Sequence, residues 1–354
     1  MSHFEERLER DLNHIRNWVW QMGEEVENAL RSAKKVLVIR DPDMAYATVL
    51  GDHPINRDSR ECDRLCHTFI ARHLPGAGHL RTMASTIRVN VALERLGDYA
   101  VTICREAIQL PEPLQEQFAS DMDEIADESL RILNQSRIAF RDGNAELAIA
   151  LMQMARQVQA RMDGIYANLM AADDEMDGLT MMAIFVIFTL WKRVADQAKN
   201  ICDQTLYAVK GVAKLPKTHQ LLFLDEAGSG VGQLAAAIGQ KNFPDIAVFR
   251  CATPGRSDLV SAELRAFLEE KGLPDEDLET EQLEAIEPDL AEYNLIICLN
   301  GKYGDYVKRV PFHSSALNWD VDGMEPDPDR TAQYRSLRSA IDEIMHLVAG
   351  EHLD

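Results

Sequence analysis

Two groups of residues in this 354-residue chain have the types and spacing to do chemistry. In ALERLGDYA, Glu94 and Asp98 stand four apart, on one face of a helix. Like charges at that spacing repel unless an Arg, a Lys or a cation holds them together. A second acidic set precedes them: Asp52, with Asn56 four residues later, and Asp63 further along. If these segments pack antiparallel across the turn at Pro75 to Gly78, the two sets converge. Oxygen-rich clusters of that kind suit hard or borderline divalent metals and iron. On spacing alone, solvated surface carboxylates are the commoner outcome. The second group lies near residue 225. The run LLFL (221–224) reads as a buried strand, Asp225 follows it, and GSGVG (228–232) is a tight loop that opens a helix. Strand, Gly-rich loop and helix N-terminus are the layout of a phosphate cradle, in which backbone N–H groups point at an anion. A Walker loop ends in Gly-Lys-Ser/Thr. Here Gly228, Gly230, Val231 and Gly232 lead to Gln233, which disfavours nucleotide binding of that type.

Other chemistry is sparse. The six cysteines form no C-x-x-C pair and sit in apolar stretches, as buried reduced thiols do. Cys62 and Cys66 share a helix face beside His67, yet no second pair at ligand spacing completes a zinc site. Trp18 and Trp20 read as packing anchors. The chain carries 58 acidic against 37 basic residues, a net charge of −21, which argues against binding nucleic acid over a broad surface. No positively charged segment followed by an apolar one opens the chain. The longest apolar run, Met181 to Trp191, is shorter than the roughly 20 residues a membrane span needs. A soluble cytoplasmic protein without membrane insertion is expected.

The elements that must position these residues fall into two regimes, an α plus α/β architecture. Residues 1–214 read as helix almost throughout, with breaks at Asp41-Pro42, Asp52 to Pro54, Pro75 to Gly78, Pro111 to Pro113 and Asp142-Gly143. Leu8, Leu12, Ile15, Val19, Met22, Val26 and Leu30 form one apolar stripe at helical spacing. Six helices are predicted, at about 4–39, 43–74, 77–109, 114–141, 144–172 and 177–212. They form two similar triplets, about 1–110 and 114–212, and the third helices share local text: ERLGDYAVTIC (94–104) and KRVADQAKNIC (192–202). That is the mark of a diverged internal repeat. Pro216 breaks the last helix. From 217 to 354 short apolar runs alternate with helices, with strands at 221–224, 246–251 and 295–299. This pattern predicts a small α/β domain with a mainly parallel sheet.

The stretches VLGDHPIN (49–56), ARHLPGAGHLR (71–81), ALERLGDYAVTIC (92–104) and NICDQTLYAVKG (200–211) give residues 1–212 a resemblance to the PhoU phosphate-uptake regulator family. The resemblance implies a six-helix fold of two three-helix repeats and regulation of phosphate transport and signalling. It implies a phosphate transporter ATPase or a sensor histidine kinase as partner, and a homodimer. It also implies surface metal ions held by E-x-x-x-D motifs. Glu94 and Asp98 match that motif, and Asp52 and Asp63 match its partner helix. In the second repeat Lys192 stands where the family has Glu, with Asp196 retained and Met154, Ala155 and Gln159 in place of acids. A Lys there replaces the metal's charge with its own, so that site is expected to be lost.

Residues 219–348 resemble, in order more than identity, a low-molecular-weight tyrosine phosphatase or the related arsenate reductases. In that family a strand runs into Cys, five residues, then Arg-Ser. This chain has Asp225, Val231 and Gly232 at those positions. Trp319 and Asp327-Pro328 echo the family's later signature, with Asp327 in the place of the general acid. Without a thiolate and a guanidinium clamp the module is expected to be a non-catalytic pseudo-phosphatase. The alternative is an enzyme that uses Asp225 as phosphoryl acceptor.

Overall fold

The apolar stripe of the first segment lies on one side of α1 (His3–Ile39), and Leu12, Ile15, Met22, Val26 and Leu30 are all buried. The helices that cover it are α2 (Pro42–His73), α3 (Ala77–Gln109) and α4 (Glu116–Asp142); α5 (Ala145–Ala171) and α6 (Gly178–Lys210) complete the helical series. The structure is a computed structural model and describes residues 3–171, 176–211, 218–255, 259–275, 278–311, 314–321 and 329–349. Contacts divide the chain into two units, Met1–Lys214 and Leu215–Asp354.

Local chemistry sets the helix ends. The Asp41 carboxylate accepts from the N–H of Asp43 at 2.9 Å, and Pro42 occupies the first turn, where its missing N–H costs nothing. Asp177 caps α6 in the same way, and Gly143, in the left-handed region, closes α4. One expected break does not occur. Asp52 to Pro54 lies inside α2, which runs through Pro54. The backbone bond that Pro54 cannot make would have gone to the carbonyl of Leu50, an exposed residue on the water-facing side of the helix.

Within this unit α1, α2 and α3 pack together, as do α4, α5 and α6. The two groups meet through α3 against α6 and α1 against α4. A buried ion pair crosses the second contact. Glu27 of α1 accepts from Arg137 of α4 at 2.5 Å, from Asn134 at 3.0 Å and from Arg31 at 2.6 Å. Helix α6 is long and apolar enough, by length and composition, to cross a bilayer. Its Ile184, Ile187, Phe188 and Trp191 are all buried in the bundle core, which accounts for that composition.

The second unit is built on β1 (His219–Leu224), β2 (Ala247–Thr253), β3 (Glu281–Gln282), β4 (Leu295–Cys298) and β5 (Ser315–Asn318). All pairings are parallel and the order is β3-β2-β1-β4-β5. The edge strands β3 and β5 carry too few apolar residues to show in the sequence pattern. Leu221 and Phe223 face a core shared with α7 (Val231–Asn242), α8 (Ala262–Lys271) and α11 (Arg330–Ala349). Leu222 and Leu224 face a second core, under the short α9 (Leu283–Ile286), the 3-10 turn at Glu287–Glu292 and α10 (Tyr303–Tyr306). The strand order reverses between β1 and β4. In open parallel sheets ligand crevices form at the carboxyl ends of the strands flanking such a point. Asp225 sits there.

Candidate functional site

In the helical unit, α2 and α3 bring Asp52, Glu94 and Asp98 within electrostatic reach of one another. Gly97 makes the approach possible. A Cβ at that position would meet the Asp52 Oδ1 at 2.8 Å, so any larger residue would push the carboxylate from its present place against α3. The Asp52 Oδ2 accepts from Asn56, while Oδ1 is buried and finds no hydrogen-bond partner among the described residues. Burial, then the charge of Asp98, holds the Asp52 carboxyl above its ordinary pKa. Glu94 is raised for the same first reason, with Asp98 and Asp52 adding to it. Asp98 itself is exposed. Beside this cluster lies an open depression of about 450 Å³, lined by Glu94, His53, Asn56, Ser59, Arg57 and Arg60.

Asp63 stands three helical turns further along α2. There it accepts from Asn90 at 3.0 Å. It is therefore engaged away from the Asp52 cluster. Among the described residues, no group of three or more His, Cys, Asp or Glu side chains is arranged to hold a metal ion. The donor chemistry of Asp52, Glu94 and Asp98 suits a hard cation, since one would relieve two raised carboxyls and an unfilled oxygen. The arrangement seen does not close three ligands around one point. At the equivalent place on α6, Lys192 lies 3.7 Å from Asp196, an i,i+4 ion pair. Cys62 and Cys66 are buried in the core, and a contact with the Cys66 thiol pushes Cys62 up.

In the α/β unit the loop between β1 and α7 does form a cradle of N–H groups. Asp225 fills it from within. Its Oδ1 accepts from the N–H of Glu226 at 2.8 Å, and its Oδ2 from the N–H of Gly232 at 2.7 Å and from the Ser229 hydroxyl. The Ser229 oxygen in turn accepts from the N–H of Val231 at 3.1 Å. Gly230 takes φ 75°, the left-handed turn that points these donors inward. A carboxylate thus occupies the helix N-terminus that an external anion would use. Burial nonetheless raises the Asp225 carboxyl, against the pull of Ser229 and the three N–H groups.

Val231, expected where a phosphatase has its clamp, points into the apolar core. The guanidinium found at this loop comes from elsewhere. Arg330, at the start of α11, donates through Nη2 to the Ser229 carbonyl at 2.7 Å and through Nη1 to Gln333 at 2.9 Å. No motif announces Arg330, about a hundred residues distant in sequence. Tyr306 of α10 is the other neighbour missed. Its hydroxyl donates to the Asn300 carbonyl and is held neutral by burial and by the charges of Asp225 and Glu226. Cys251 is pushed up to about 12 and Cys298 to about 11 by burial, so neither supplies a thiolate. Asp327 lies outside the described residues.

The PhoU domain family matches residues 19–107, which span most of α1, all of α2 and nearly all of α3. The phosphate-specific transport system accessory protein PhoU of Edwardsiella tarda is 28% identical over 213 residues, 59% of this chain and 87% of that protein. Its counterpart from Escherichia coli K12 is 26% identical over 213 residues, 59% of this chain and 88% of that protein. The crystal structure of PhoU from Pseudomonas aeruginosa aligns with a TM-score of 0.55 at 26% identity, over 58% of this chain and 99% of that one. Residues 19–107 thus match the PhoU domain, and the helical part of the chain is similar to PhoU proteins over most of their length.

Proposed function

We propose that this protein is an accessory regulator of phosphate transport and phosphate homeostasis, acting in the cytoplasm through contacts of its helical unit with a transporter ATPase, a sensor histidine kinase or both. One observation carries the reading: the similarity extends over 87% of one accessory protein and 99% of a solved PhoU chain, a whole fold and not a fragment. In this reading the helical unit is two diverged three-helix repeats that assemble as a homodimer. A divalent cation or iron is held at the first repeat after Asp52, Glu94 and Asp98 rotate toward one another. The second repeat, with its Lys192–Asp196 pair, holds none. Residues 217–354 form a phosphatase-like module that does no chemistry, because its own carboxylate answers the loop's donors and no thiolate stands at position 225.

The test is replacement. The full chain is expressed in a bacterium lacking its own PhoU, and phosphate uptake and a phosphate-starvation reporter are measured in high phosphate. Restored repression is expected, and unchanged derepression with the protein present at normal levels counts against the reading. Light scattering should give twice the chain mass. For the second module, aryl phosphate turnover should not exceed buffer. Robust turnover that disappears in Asp225→Asn would instead favour an aspartyl-phosphate enzyme.

A further inference from the structure

The two groups of helices in the first unit meet along α1, α3, α4 and α6, and their seam is not filled to its end. A cavity of about 200 Å³ remains there. Its lining includes Val19 of α1, Val89 and Leu93 of α3, Phe140 of α4 and Val209 of α6, a largely apolar wall. Guanidiniums stand among these side chains, and they cluster on Trp20. Arg141 lies 4.3 Å and Arg137 4.5 Å from the centroid of its ring. The two arginines differ in availability. Arg137 is buried and bound to Glu27 and to the Trp20 carbonyl. Arg141 is about half exposed, and among the described residues its ion pair is with its exposed sequence neighbour Asp142, a weak kind of pair. Arg16, also about half exposed, has its nearest carboxylate, Glu9, at 3.7 Å. Three guanidiniums and one carboxylate line this cavity, in a chain whose net charge is −21.

We propose that this cavity binds a small amphipathic anion: an apolar chain or ring of roughly six to ten carbon atoms ending in a carboxylate. Size favours such a ligand over a protein segment, since a cavity of about 150 Å³ takes a benzene ring and a helix needs an open groove. The apolar part lies against Val89, Leu93, Phe140 and Val209. The carboxylate meets the half-exposed guanidiniums of Arg16 and Arg141 at the mouth of the cavity through charge-assisted hydrogen bonds. A ligand seated there touches α1 and α3 on one side and α4 and α6 on the other, and so couples the two halves of the unit. This goes beyond the proposed role in phosphate transport and does not depend on it.

Calorimetric titration of the full chain with octanoate, octanol and octylammonium tests the proposal. Octanoate should saturate one site per chain, octanol should bind at least tenfold more weakly, and octylammonium should give no saturable heat. Val209→Phe, which fills the cavity from a half-exposed position, should abolish octanoate binding. Arg16→Gln and Arg141→Gln should each weaken octanoate several-fold and leave octanol unchanged. The arginine variants are read separately, so a folding defect in Val209→Phe leaves the test intact. Absence of saturable binding by octanoate overturns the proposal. Equal affinities for octanoate and octanol overturn it too, as does unchanged octanoate affinity in both arginine variants.

Discussion

Asp52 in the helical unit and Asp225 in the α/β unit are both raised above the ordinary carboxylate pKa by burial, and there the likeness ends. Asp225 is surrounded by donors: three backbone N–H groups act on its carboxylate, with the Ser229 hydroxyl. Asp52 faces other carboxylates and keeps a buried oxygen with no partner among the described residues. A satisfied buried carboxylate is structural, and it closes its site to an external anion. An unsatisfied one beside like charges is unstable as it stands and open to a cation. The region with the phosphate-site layout is thus the one closed to anions, and the unfilled oxygen lies buried between α2 and α3 of the bundle.

The sharpest way to break this comparison is to remove Asp225. Asp225→Ala leaves the N–H groups of Glu226 and Gly232 and the Ser229 hydroxyl unanswered next to the core. A loss of about 2–4 kcal/mol is expected in native-state hydrogen exchange of the β1 and α7 amides of the full chain. A change below about 0.5 kcal/mol would mean that the carboxylate is not structural. Next in size is metal affinity. Protein purified without chelator should bind a divalent cation about tenfold more weakly after Glu94→Ala with Asp98→Ala, read by equilibrium dialysis with elemental analysis. Equal content in both proteins would leave the raised carboxyls unexplained by cation binding.

A smaller effect carries a pH signature. Folded-state pKa values of Asp52 and Glu94 lie above their unfolded values. As pH rises past about 4 the unfolded chain gives up these protons first, so ionisation favours unfolding, and the cost is complete once the folded groups have also titrated. Removing the neighbouring charge in Asp98→Asn should therefore stabilise the chain at pH 7, by a few tenths of a kcal/mol because the site is partly solvated. Well below about pH 4, where the raised carboxyls of Asp52 and Glu94 are protonated, that gain should vanish. Thermal unfolding of both proteins at the two pH values measures it. The smallest expected effect is in the second half of the bundle, where Lys192→Ala removes one i,i+4 pair. It should cost at most about 0.5 kcal/mol and leave metal content unchanged.

Much of the fold was legible because its signals are local. The α1 stripe, the Asp41-Pro42 and Gly143 ends, and the run Leu221–Leu224 are periodicity and capping, both read within a few residues of chain. The edge strands β3 and β5 escaped, since Glu281–Gln282 and Ser315–Asn318 carry little apolar pattern and are strands only because a neighbour offers its backbone. Pro54 misled because the helix around it is stabilised by the packing of α2 on α3, which outweighs one missing bond.

The sites divide along the same line. The sequence by itself determined which residues carry charge and which lie on one helix face, so Glu94 and Asp98 were visible with Asp52 as their counterpart. It also determined that position 225 holds a carboxylate and no thiol. Only the tertiary structure decided what each group meets. It set Asp63 against Asn90, turned Val231 into the core, folded the Asp225 carboxylate onto its own loop and brought Arg330 across about a hundred residues to Ser229. The physical reason is range. Helical spacing and capping act over a turn or two, whereas burial and hydrogen-bond satisfaction depend on which distant segments the packed cores bring together.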